Sequence, residues 1–427
     1  MKRILLIASL VLLFFPIYGQ QSSVTIEACY QWAEENYPQI KRYDLIEQTK
    51  QYDLSNAAKA WLPQLTIGAK ASYQSDVTKL PLDFSEMPAP MNQFSVPTMS
   101  KDQYQVTAEV SQTIWDGGMT QSARQRIRAQ AEAEHKQMES DLYALKERVN
   151  QLYFGCLLQD DLLKQNRLLQ QELNNNLERI DAMIKNGVAN ESDRDLLLVE
   201  LLNVRQKETE LEASRSAFVR MLSYFTGQTI TTNTEFKQPT VPTNQLRMTI
   251  NRPELAALDA GLQVAETNDK MISAGLMPRL GAFVQVGYGR PGLNMLEDSF
   301  NPFYVAGVRL SWNLGNLYTL KNDRRKVDIA RSNINVARET FLFNTQMQLI
   351  QQDENVRKIK QLISTDEEIV SLRTSVKKAS EVKLENGVIA VADLVRDITS
   401  EDLAKQSASI HRTQYLMAVY KFMYITN

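Results

Sequence analysis

Cysteine is nearly absent from this chain. Cys29 and Cys156, the only two in 427 residues, cannot supply the disulfide framework of a loop-rich secreted domain. They either pair with each other or stand as separate buried thiols. The second is expected, because Cys156 falls on a helix core stripe described below. Histidine is as scarce. His135 and His411 each lie in a helical pattern with no Cys or His at ligand spacing, so each reads as a packing or surface residue. No Ser/His/Asp or paired-carboxylate arrangement stands out. Gly287-Tyr288-Gly289-Arg290-Pro291-Gly292 matches a dinucleotide fingerprint by letter, but Pro291 sits inside the turn and no helix follows at once. Neither sign of charge dominates. A formal net charge of −2 leaves no basic footprint for nucleic acid. Neither an enzyme nor a cofactor or metal site is expected.

Glycine and proline are few, at 16 and 13 residues, and Leu, Gln, Glu, Lys and Arg are plentiful, which favours helix. Long apolar runs are also missing after the first twenty residues. Lys2 and Arg3 precede an apolar run from Ile4 to Ile17, and Gly19 ends it. That is the pattern of a signal peptide over residues 1–20, with cleavage near Gly19 or Gln20. No later stretch reaches the length of a spanning helix. The mature chain is expected to be exported without a helical anchor.

What is present is a stretch that occurs twice. Lys185-Asn186-Gly187-Val188 is followed by Asp193, and Glu385-Asn386-Gly387-Val388 by Asp393. Each copy interrupts a long helical pattern, so each Asn-Gly reads as a helix C-cap and turn, the tip of a helical hairpin. The copies are 200 residues apart, and Tyr104/Tyr304, Ser111/Ser311, Gln206/Gln406, Val219/Val419 and Tyr224/Tyr424 keep that offset. The chain reads as a duplication. Residues 21–226 form the first repeat: a helix to about Trp61, a β-hairpin over 64–115 and a helical hairpin over 117–226. Thr- and Pro-rich residues 227–252 form a linker. Residues 253–427 form the second repeat: a helix, a β-hairpin over 279–313 and a helical hairpin over 318–425.

The helical signal has period seven. From Leu142, one position holds Leu142, Val149, Cys156, Leu163, Gln170, Leu177 and Ile184, and another Leu145, Leu152, Gln159, Asn166, Leu173 and Ile180. The returning helix carries Leu197, Val204, Leu211, Phe218 and Phe225. This is coiled-coil patterning. An unbroken helix from Met119 to Asn186 would be roughly 100 Å long.

The strands alternate with period two. Leu65, Ile67, Ala69, Ala71 and Tyr73 form one face, as do Val106, Ala108 and Val110, then Leu280 to Tyr288, then Tyr304 to Trp312. Two readings follow. One is a small amphipathic sheet packed on helices. The other is a set of membrane strands with Tyr73, Tyr104, Tyr288, Tyr304 and Trp312 as an aromatic girdle. Four strands cannot close a barrel, so the membrane reading requires several chains. The connection over 75–102 is rich in Pro and Met. Its Met87, Met91 and Met99 resemble soft-metal ligands but are expected to be ordinary loop residues.

The order of these elements, with Trp61-Leu62-Pro63-Gln64-Leu65, Ile114-Trp115-Asp116-Gly117-Gly118, Met277-Pro278-Arg279-Leu280 and the two Asn-Gly-Val tips, resembles the TolC-type outer-membrane efflux protein family. The resemblance implies a mostly α fold with a β-barrel portion. It implies a homotrimer with a twelve-stranded barrel in outer-membrane lipid and a periplasmic tunnel of twelve helices, in a Gram-negative bacterium. A periplasmic adaptor (membrane fusion) protein and an inner-membrane pump, of the resistance-nodulation-division or ABC type, would complete an efflux or type I secretion machine. The implied periplasmic aperture holds Asp393. A second acidic position falls on Arg396, with Asp397 beside it, and Asp193 is the first-half counterpart. Asn186, Gly187 and Val188, with Asn386, Gly387 and Val388, would be tip turns for adaptor docking. The competing reading is a periplasmic coiled-coil scaffold or adaptor without a membrane barrel.

Overall fold

The seven-residue period becomes a buried seam. The computed structural model describes residues 23–78, 99–241 and 249–427. The expected signal segment, Met87, Met91 and part of the linker lie outside these residues. The chain forms two compact units, one of residues 1–43, 137–255 and 339–427, the other of 44–136 and 256–338.

The first unit is helical. Strand β1 (Ser23–Val24) and helix α1 (Ile26–Asn36) lead in. Helices α3 (Met119–Tyr143), α4 (Leu145–Lys185), α5 (Glu191–Thr226), α7 (Asn316–Glu385) and α8 (Val391–Thr426) supply the rest, α3 from residue 137 and α7 from residue 339. The helical pattern from Met119 to Asn186 is interrupted at Ala144, which keeps helical angles of φ −61° and ψ −20°. At this interruption Tyr143 is fastened to α8. Its hydroxyl donates to the Tyr424 carbonyl at 2.7 Å and its ring stacks on Tyr424 at 4.9 Å.

Every heptad position named on α4 is buried or half-buried. Val149, Tyr153, Phe154 and Cys156 pack with Val219 and Leu222 of α5, Ile26, Cys29 and Ala33 of α1, and Tyr420 of α8. Cys29 and Cys156 are free thiols in this core, and burial pushes both up to about 12. The polar seam residue Asn166 is satisfied, donating to the Val204 carbonyl at 3.0 Å. Gly155 allows close approach, because a Cβ there would meet the Phe218 ring at 2.7 Å.

The linker also holds a short strand. Strand β4 (Glu235–Phe236) pairs in parallel with β1. The Tyr153 hydroxyl lies 2.7 Å from the Val24 carbonyl and 2.6 Å from that of Lys237. One proton serves two acceptors, the Val24 one buried and the Lys237 one half-buried.

The second unit carries the sheet. The expected single helix from Val24 to Trp61 is broken, because Pro38 forces Tyr37 into extended backbone. Helix α2 (Arg42–Ala58) follows. Leu62 is likewise extended before Pro63. Strands β2 (Gln64–Tyr73), β3 (Asp102–Trp115), β5 (Arg279–Arg290) and β6 (Asn301–Ser311) form one antiparallel sheet in the order β2-β3-β5-β6, with β2 and β6 at its edges. Helix α6 (Pro253–Ala274) precedes β5, and the sheet leads into α3 and α7. Among the described residues no helix is long and apolar enough to cross a membrane.

Replacing Tyr153 by Phe removes the hydroxyl donor from the Lys237 carbonyl and one of two donors from the Val24 carbonyl, which keeps the Lys237 N–H at 2.9 Å. Urea unfolding of the mature protein is expected to show a loss of about 1–2 kcal/mol. Unchanged stability would mean that water replaces the hydroxyl.

Candidate functional site

The two tips are built alike. At the end of α4, Gly187 takes φ +75°, its N–H reaches the Ile184 carbonyl at 2.9 Å, and the Val188 N–H reaches Met183 at 2.9 Å. At the end of α7, Gly387 takes φ +66°, and the same two bonds run to Leu384 and Lys383, both at 2.9 Å. These are Schellman caps, which need a left-handed residue at the glycine. Asn186 and Asn386 are exposed just before the glycines. Val188 and Val388 follow them and are 64% and 68% exposed. Beneath the tips, Leu173, Ile180, Leu197 and Leu201 of the first hairpin share one apolar cluster with Leu384, Val391, Leu394 and Ile398 of the second. Arg179 of α4 is paired with Glu385 of α7.

Both candidate aspartates are third residues of helices, and both carboxylates accept a cap N–H. Asp193 takes it from Asn190 at 3.0 Å, Asp393 from Ala390 at 3.4 Å. Negative charge in a first helical turn is favoured by the helix dipole. Arg396 sits one turn on and pairs with Asp393 at 3.0 Å. Asp397 instead accepts from the Ser380 hydroxyl of α7 at 2.6 Å. Among the described residues Asp193 has no ion-pair partner.

A buried charge cluster on α4, α7 and α8 had no signal in the sequence beyond scattered charges. Glu401 of α8 is 2% exposed. It pairs with Lys377 of α7 and Lys405 of α8, both at 2.9 Å, and accepts from the Thr374 hydroxyl at 2.6 Å. Lys377 also reaches Glu172 of α4 at 2.5 Å. Burial alone would raise the Glu401 carboxyl, but Thr374 and the two ammonium groups outweigh it and bring it down to about 2. Its neighbour Asp402 goes the other way. Burial, helped by the charges of Glu172 and Glu401, lifts it to about 6 against the opposing Gln406 and Lys405.

The sheet register puts all apolar alternation on one face. Val106 is opposite Ala69 and Tyr288, Val110 opposite Leu65 and Val284, and Tyr304 opposite Val286. This face is uncovered: Ile67, Val284 and Val308 are 72%, 49% and 66% exposed. Tyr73, Tyr104, Tyr288 and Tyr304 gather at its loop end. Trp312 lies at its helix end, its indole N–H on the Leu276 carbonyl at 2.9 Å. Exposed Trp61 and Trp115 stand at that end too. They belong to motifs visible in the sequence, but Trp115 is out of phase there with the apolar alternation of β3. A bulge between Thr113 and Trp115 corrects the phase, so that Trp115 lies opposite Leu280. The opposite face carries Gln, Thr, Ser and Gly with Lys70, Glu109, Arg279 and Arg309. Among the described residues no cluster of His, Cys, Asp and Glu is arranged to hold a metal.

The family model for outer membrane efflux proteins matches residues 29–228. Three solved structures share the fold. The Vibrio cholerae outer membrane protein VceC is 13% identical, with 93% of this chain and 95% of that chain covered and a TM-score of 0.65. The Campylobacter jejuni CmeC outer membrane channel is 10% identical, with 94% and 85% covered and a TM-score of 0.61. The open state of the Neisseria gonorrhoeae MtrE outer membrane channel is 13% identical, with 93% and 88% covered and a TM-score of 0.61. No curated protein sequence matches the chain.

Asp402 and Glu401 give opposite pH dependences. Asp402 is raised in the folded state, so its contribution to stability is present at low pH and is lost as pH rises through about 6. Glu401 is lowered, so its contribution is complete above about 4.5 and is lost only as pH falls towards about 2. Of these two carboxyls, only Asp402 titrates between pH 7 and 5. The wild type is expected to gain about 1 kcal/mol over that interval, and Asp402→Asn to show none of that gain. Equal slopes in chemical denaturation would remove Asp402 from the account.

Proposed function

We propose that the chain is an outer membrane efflux protein, a reading supported by the family model that matches residues 29–228, and that it is the exit duct of a tripartite efflux or type I secretion system. The carrying observation is the sheet, with a continuous uncovered apolar face backed by a polar, charged one. A periplasmic scaffold would leave this apolar face in water at a cost of roughly 25 cal/mol per Å². In lipid the face is at home. From Tyr104 to Trp115 the strand runs roughly 35 Å, or about 25–28 Å along the membrane normal at the usual barrel tilt, which suits the apolar band of an outer-membrane barrel.

The uncovered edges of β2 and β6 then require further copies. Their directions allow antiparallel pairing of β6 with the β2 of a second copy, and three chains would close twelve strands. Helix α7 supports the assembly. Ile329, Phe343 and Ile350 lie at multiples of seven residues and are all more than half exposed, which suits a seam with another copy. Transport, not catalysis, is the activity, and the duct is passive. The tips are its periplasmic end. Asp193 and Asp393 would bring six carboxylates to the aperture of a trimer and raise the local concentration of cations. Arg396 tempers Asp393 by pairing with it. The exposed Val188 and Val388 give the adaptor protein an apolar hold beside the glycine turns, and an inner-membrane pump would supply the energy.

Two experiments test the reading. Lys in place of Val284 or Val308 should cost roughly 2–4 kcal/mol near the membrane midplane, and heat-resistant oligomers should disappear from outer-membrane fractions. Normal assembly of both variants would sink the barrel. Planar-bilayer recordings of an Asp193→Asn/Asp393→Asn double variant should show a lower cation preference than wild type. An unchanged preference would keep the duct and remove these aspartates from its aperture.

A further inference from the structure

We infer that the polar face of the sheet favours anionic solutes, through Lys70 and Arg279. The inference rests on the sheet being one chain's share of a closed barrel, whose lumen this face would line. Four charged residues lie on it: Lys70 of β2, Glu109 of β3, Arg279 of β5 and Arg309 of β6. Glu109 is the single acid, and it lies 3.5 Å from Arg309. That pair is neutral as a unit.

Lys70 and Arg279 have no acidic partner among the described residues. Asp116 borders the same hollow as Arg279. Its carboxylate is held by the backbone N–H groups of Gly118 at 2.9 Å and Thr120 at 2.7 Å, where it caps α3. Each chain therefore leaves two uncompensated cations on this face. Arg279 is the first residue of β5, at the helix end. Lys70 is three residues short of the end of β2, near the loops. The other face carries no charge between Asp102 and Arg290 at the loop end and the helix end. A wall that is polar on one side and faces lipid on the other directs the field of these cations into the lumen.

The same face offers apolar contact. The rings of Phe303 and Phe283 lie over Gly287 and Gly307 of the neighbouring strands, and the Arg309 guanidinium sits 4.5 Å from the centre of the Phe283 ring. Flat rings on a face that also carries two free cations suit organic anions that combine a carboxylate, sulfate or phosphate group with an apolar or aromatic body.

The test compares the mature protein with Lys70→Gln/Arg279→Gln in planar bilayers under a KCl gradient near 0.1 M, where screening length is about 10 Å. The tip acids are common to both proteins, so the difference between them reports the sheet. Removing the two cations is expected to lower the chloride-to-potassium permeability ratio by roughly twofold or more. No change, or a move towards chloride, overturns the inference. A shut duct passes no current, so a second measurement uses Gln105→Cys, opposite Lys70 in the register. Cys29 and Cys156 are buried and leave this thiol as the reporter. In outer-membrane vesicles an anionic thiosulfonate reagent should react with it severalfold faster than a cationic one. Adding Lys70→Gln should abolish that preference. Equal rates before the addition overturn the inference while leaving the barrel in place. A thiol closed to both reagents, in a protein without conductance, sinks the barrel reading and the inference together.

Discussion

Unpaired backbone on the two edges of a four-stranded sheet is the constraint that the rest of this chain answers to. Strands of ten or more residues at β2 and β6 present rows of N–H and C=O groups. In water such edges invite aggregation, and in lipid each unmet group costs several kcal/mol. The sequence does not blunt these edges with bulges or proline in mid-strand. The bulge lies instead between the inner strands β3 and β5. Edges kept regular are edges meant to be paired. Since four strands alternate in direction, copies joined head to tail continue the antiparallel ladder without a parallel step.

Long helices raise a different difficulty, because a helical seam holds only if its ends are fixed. The two Schellman turns satisfy the last carbonyls of α4 and α7, and Asp193 and Asp393 accept the N–H groups of Asn190 and Ala390, the cap residues just before α5 and α8. Further along, Glu401, Lys377, Lys405 and Glu172 join three helices through charge where apolar knobs would carry less positional information. The desolvation of Glu401 is offset because both ammonium groups and a hydroxyl meet its two oxygens. Asp402 lacks that compensation, which is why its carboxyl moves in the opposite direction.

The architecture was legible in the sequence where periodicity is strict. Period seven placed the buried residues of α4 and α5, period two placed the apolar face of the sheet, and Asn-Gly placed both tips. These signals are local, and each repeats over many residues. Single residues were less legible. Pro38 breaks the first helix, yet its surroundings keep a helical pattern. The β1–β4 pair joins residues some two hundred positions apart with two residues on each side, too short to leave a pattern. The Lys377 cluster is invisible because charges on long helices look alike until the neighbouring helix is known. Tip aspartates show the converse difficulty. Spacing from the glycine marks Asp193 and Asp393, but a helix cap and an aperture ring ask for the same residue at the same place.

One detail of β3 bears on how the two halves of the chain, read as repeats at an offset of 200 residues, stay in step. Ser111 and Ser311 keep the offset of 200, whereas Trp115 and Trp312 are offset by 197. The first half therefore holds three more residues between serine and tryptophan. Three is odd, and in a strand an odd difference would turn the two tryptophans to opposite faces. The bulge between Thr113 and Trp115 absorbs one residue and leaves an even two, so parity is restored. Length in this segment is thus free to change by pairs but not singly. A one-residue insertion or deletion survives only if a bulge appears or disappears with it.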